Sequence, residues 1–86
     1  MSRARVEAQA LAQLEALFRR NGYTLKYLKG NFRGGPCRLY ENKMVVINAI
    51  YPPAGRARAL ALIAESLQEK LDLTEEEKAL IQRLLP

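Results

Sequence analysis

The side chains best suited to chemistry lie in one stretch, Lys29-Gly30-Asn31-Phe32-Arg33-Gly34-Gly35-Pro36-Cys37-Arg38. Glycines spaced this closely let successive backbone N–H groups turn toward one point, and the neighbouring cations add positive charge. An anion held by Lys29, Asn31, Arg33 and Arg38 is the chemistry that such a segment suits. The spacing is not G-x-x-x-x-G-K-[ST] and no helix opens after it, which argues against a nucleotide-hydrolysing phosphate loop. A plain glycine-rich connection between two strands, with or without a bulge, has the same composition and needs no ligand.

Aromatic and basic residues alternate around this stretch. Tyr23, Tyr27, Phe32 and Tyr40 are interleaved with Lys26, Lys29, Arg33 and Arg38. Single-stranded nucleic acid is bound by this mixture, with bases stacked on rings such as Tyr27, Phe32 and Tyr40 and phosphates neutralised by the cations. Strands with one wet face also favour Tyr and Phe next to Lys and Arg, so the pattern arises without nucleic acid too.

Cys37 precedes Arg38, a neighbour that lowers a thiol pKa and raises the thiolate fraction. The 86 residues include one Cys and no His, so no imidazole can serve the thiol as a base and no second thiol can resolve an intermediate. Without His there is no Ser-His-Asp relay, no Cys-His dyad and no His-rich zinc site. Glu65 and Glu69 stand one helical turn apart, as an acid and base pair could, but off the apolar stripe, where exposure keeps carboxylates ordinary. No spacing implies a cofactor or a metal.

The elements that must position these residues follow from periodicity. Val6, Ala10, Leu14, Leu17 and Phe18 recur at three- and four-residue steps and predict a helix over about 3–20, closed by Arg19, Arg20 and Asn21-Gly22. From Tyr23 the period is two, and a strand runs to about Lys29. Gly30 to Pro36 reads as loop. Cys37–Tyr40 and Met44–Asn48 read as two more strands joined through Glu41-Asn42-Lys43, a hairpin-length link, and the apolar Met44–Ile47 run places the last strand at the centre. Pro52 and Pro53 end the sheet. A second helix spans about 54–70 with Ala57, Leu60, Ile63, Ala64, Leu67 and Leu71 inward. A third follows a capping box of Thr74 and Glu77.

The expected fold is α+β in the order α-β-β-β-α-α, with a small three-stranded antiparallel sheet covered on one face by helices and 1–86 as a single domain. The apolar share is 49% and the charged share 27%, ordinary globular usage. A lone Cys favours a reducing compartment, so a cytoplasmic location is expected. The charged start of the chain suits neither a signal peptide nor a spanning helix, and no membrane contact is expected. Charge is uneven: residues 1–58 hold 11 basic and 3 acidic side chains, residues 59–86 hold 3 and 6. A basic face is the natural consequence.

With Lys29-Gly30-Asn31-Phe32-Arg33-Gly34-Gly35-Pro36-Cys37-Arg38 and Val45-Val46-Ile47-Asn48 in view, the chain resembles a family of small bacterial proteins whose pattern is G-G-x-C-R, a strand ending in Asn, then a helix. The resemblance covers about residues 25–70 and implies a shared fold without an assigned activity. More distantly, strand, Asn, short loop and amphipathic helix resemble the layout ahead of the metal helix in small zincin-like peptidases of the IrrE and ImmA type. Where those carry H-E-x-x-H, this chain reads Ala64-Glu65-Ser66-Leu67-Gln68, which keeps the acid and replaces both histidines. The resemblance therefore implies a scaffold and not zinc chemistry.

A non-catalytic binding or adaptor domain is the expectation, engaging a protein partner or a second copy of itself through the basic sheet and the glycine segment. Single-stranded nucleic acid is the first alternative occupant. An enzyme built on Cys37, Lys29 or a carboxylate is the second.

Overall fold

Leucines and a phenylalanine at helical spacing need a surface to bury against, and the first element supplies them. The computed structural model describes residues 3–30, 34–39 and 42–85; α1 (Arg3–Arg20) buries Ala10, Leu14, Leu17 and Phe18. Its end is a Schellman turn, in which Tyr23 N–H reaches the Phe18 carbonyl at 2.9 Å and Gly22 N–H reaches that of Arg19 at 3.0 Å. Gly22 adopts φ +83°, the left-handed conformation this turn requires.

The chain then forms β1 (Thr24–Leu28), β2 (Gly34–Leu39), β3 (Asn42–Asn48), α2 (Pro53–Ser66) and α3 (Glu75–Leu84). This is the expected order of helices and strands, but the sheet departs from the expected one. The strand order is β1-β3-β2; β1 runs parallel to β3, with Tyr27 opposite Ile47 and Leu28 opposite Asn48. Only β2 and β3 pair antiparallel, with Gly34 opposite Ile47 and Leu39 opposite Asn42. The expected central position of β3 agrees with this order; the direction of β1 does not, because inward-outward alternation is the same for parallel and antiparallel pairing. β1 and β2 are the two edges, about 10 Å apart across β3 at ordinary strand spacing. Five residues, 29–33, separate them in the chain, about 17 Å when extended, which exceeds that distance.

Two boundaries also moved. Gly34, Gly35 and Pro36, expected in the loop, open β2. Proline is tolerated there because an edge strand leaves one side of its ladder unpaired. The second helix stops at Ser66, short of Lys70, where the Ser66 hydroxyl donates to the Ile63 carbonyl at 2.7 Å and competes for a backbone acceptor. Leu71 still reaches the core from the turn that follows.

Helices α1 and α2 lie on one face of the sheet, and α3 packs on both helices away from the strands. Val45 and Ile47 of β3 meet Leu14, Leu17, Phe18 and Leu60 in a core where each is fully buried. Phe18 packs edge-on to Tyr23, ring centres 5.7 Å apart at 85°. Thr74 caps α3 in the expected capping box: its hydroxyl accepts from Glu77 N–H at 3.1 Å, and the Glu77 carboxylate accepts from Thr74 N–H at 2.8 Å. No helix among the described residues is long and apolar enough to cross a membrane.

Candidate binding surface

Alternation along β1 and β3 sorts side chains onto two faces. Leu25, Tyr27, Val45 and Ile47 turn toward α1 and α2. Thr24, Lys26, Leu28, Met44 and Val46 take the other side, on which none of the described helices packs. Thr24, Lys26 and Leu28 are exposed, Leu28 at 49%, while Met44 and Val46 are half-buried. Ile50, just past β3, is 72% exposed. Lys29 and Gly30, exposed just past β1, extend this surface.

The parallel pairing brings the C-terminal ends of β1 and β3 to one rim, and two side chains tie that rim together. Asn48 is 4% exposed; its amide donates to the Gly30 carbonyl at 2.7 Å, and its carbonyl accepts from Ile50 N–H at 3.1 Å. Ala49 N–H reaches the Leu28 carbonyl at 2.9 Å. From α2, Arg56 donates to the Tyr51 carbonyl at 2.8 Å and the Ala49 carbonyl at 2.7 Å, holding the turn between β3 and α2. Its guanidinium also sits 5.0 Å over the Tyr27 ring, a cation–π contact.

Tyr27 is thus engaged on the helix side of the sheet. One ring face carries Arg56, and its hydroxyl donates to the Glu15 carboxylate of α1. Burial pushes the phenol well above its ordinary pKa, and the bond to Glu15 adds to the shift. Lys29, by contrast, is exposed and lies at the rim. Asn31, Phe32, Arg33 and Tyr40 lie outside the described residues. Arg38 stands opposite Lys43 and Cys37 opposite Met44 in the β2–β3 register; their side chains lie outside the described part as well. Lys43 itself turns its ammonium over the Tyr23 ring at 5.3 Å.

The other chemical candidates are dispersed. Glu65 and Glu69 are both exposed, the second beyond the end of α2. Among the described residues no three of His, Cys, Asp and Glu gather closely enough to hold a metal ion. Ala64 is fully buried, and Gln68 lies past the C-terminal end of the helix. Asn48 and Arg56 carry the rim, yet neither was singled out for that role by residue type. The one available signal was a polar residue closing the otherwise apolar run Val45-Val46-Ile47.

A second polar cluster fixes α1 to α3 on the far side of the molecule. Arg20 makes a two-pronged pair with Glu77, at 2.6 and 2.7 Å, and also donates to the Asp72 carbonyl at 2.6 Å. Asn21 exchanges bonds with Asp72, accepting from its N–H at 2.7 Å and donating to its carbonyl at 3.2 Å. The Arg20 guanidinium holds the Glu77 carboxyl down at about 2, and Arg20 is raised in return. This is bracing between helix ends.

Compared with protein-family models, with curated proteins and with solved structures, the chain has no match.

Proposed function

We propose that this chain is a non-catalytic binding domain that takes a protein partner on the uncovered face of its sheet. The observation that carries this reading is the apolar strip on that face, with Leu28 49% exposed and Ile50 72% exposed beside it, edged by Lys26 and Lys29. A half-buried apolar surface rimmed by charge is how sites for protein partners are built. The rim lysines favour a partner segment with acidic residues flanking apolar ones. Any use of the zincin-like layout is a scaffold use, since Ala64 and Gln68 stand where imidazoles would be needed.

The test is selection from a random peptide library with the intact chain. Acidic, apolar-centred peptides are expected, and Leu28→Asp together with Ile50→Asp should abolish their capture. Peptides that bind the double variant equally well would refute the reading. Single-stranded RNA is the discriminating control. Submicromolar RNA binding that falls about a hundredfold or more between 50 and 200 mM salt would replace the protein-partner reading with the nucleic-acid one.

A further inference from the structure

The helical side of the molecule, remote from the sheet surface, presents a groove between the antiparallel helices α1 and α3. Two adjoining clefts of about 340 and 310 Å³ meet at Gln13 and Leu80. Val6, 48% exposed, and half-buried Leu84 supply apolar surface at one end, and exposed Ala16 continues the α1 wall toward the other. The ends differ in charge. Arg83 lines the cleft beside Val6, and Glu76 lines the cleft beside Ala16. Both are exposed, and neither forms an ion pair within the described chain, whereas the adjacent Glu77 is committed to Arg20.

The placement of these two charges identifies the occupant. Glu76 and Arg83 are seven residues apart, two helical turns and about 10.5 Å along one flank of α3, with Leu80 close to their midpoint. Rotation by 180° about an axis through that midpoint, perpendicular to the groove, carries each charge onto the position of its opposite. A surface with this property is its own complement, as a two-fold interface requires. We propose that a second copy of this chain packs across the α1–α3 groove with its α3 antiparallel, so that each Glu76 faces the Arg83 of the other copy and the two Leu80 levels lie side by side. The dimer leaves both sheet surfaces free, and it stands or falls independently of the partner proposed for them.

Charge reversal tests the arrangement. Sedimentation velocity at low salt should show a concentration-dependent dimer. Glu76→Arg alone and Arg83→Glu alone each place like charges at both ends and should weaken it about tenfold or more. The doubly reversed chain should recover the wild-type dimer. An equimolar mixture of the two single variants should form a heterodimer, since every end then pairs opposite charges; this also shows that both variants are folded. A wild-type chain that stays monomeric up to about 1 mM overturns the proposal, because self-association weaker than this would amount to about 4 kcal/mol or less. So does a dimer indifferent to the single reversals, or a mixture that fails to associate.

Discussion

Asn48 holds two backbone groups at the rim, the Gly30 carbonyl and the Ile50 N–H. Its replacement by Ala removes both these bonds of a buried amide and should cost about 1 kcal/mol or more, measured as a fall in urea unfolding free energy. Asn48→Asp keeps the acceptor for Ile50 and loses the donor to Gly30, and should be no better. Gly22 is a different kind of single-residue dependence. A Cβ there would meet nothing within 4 Å, so the entire cost of Gly22→Ala is the left-handed φ of +83°. About 1–2 kcal/mol is expected, and Gly22→Asn should recover part of it. Glu77 makes stability depend on pH. Its carboxyl titrates at about 2 in the folded chain against 4.5 ordinarily, so the fold favours the ionised form. That contribution is complete above pH 4.5 and is lost as pH falls toward 2. Urea midpoints of wild type and Glu77→Gln should therefore converge over this window and differ by a constant amount above it.

Among the elements, α3 is the shortest helix and depends most on its ends. Thr74→Ala removes one half of the capping box and should cost about 1 kcal/mol, read from the same urea curves. The three helices were legible because a 3.6-residue period has one meaning: Leu14, Leu17 and Phe18 can share a side only if the chain is helical. Helix ends were legible where a residue type has one use there, as with Asn21-Gly22 and the Thr74–Glu77 pair. Strand direction was not. Alternation at Leu25 and Tyr27 fixes which side chains face inward but is identical for parallel and antiparallel pairing. The apolar run at Met44–Ile47 correctly indicated a central strand, and a central third strand flanked by the first two was already half of the true topology. What residue type could not disclose was that β1 runs parallel to β3. Of the surface, Lys26 and Lys29 were visible as charge, whereas the engagement of Tyr27 by Arg56 and Glu15 depends on contacts between residues 12 and 29 positions apart.

For the molecule as a whole, one cluster of buried residues draws on all three helices and the central strand. With so few layers, a single cavity is felt throughout: Leu60→Ala, at a fully buried position between α2 and the rest, should cost about 2–5 kcal/mol and lower the thermal midpoint accordingly. The charge pattern likewise acts at this scale. The cations of β1 and its rim lie on the sheet side, while Glu75, Glu76 and Glu77 gather at the start of α3. The strand arrangement also has a consequence for synthesis. Both edges of the sheet depend on β3, which is the last of the three strands to be made. As the nascent chain leaves the ribosome, β1 and β2 emerge with no ladder to join, and neither can be registered until Asn48 has cleared the exit. The first half of this protein must therefore wait, with its strands unpaired, for the middle of its own sequence to arrive.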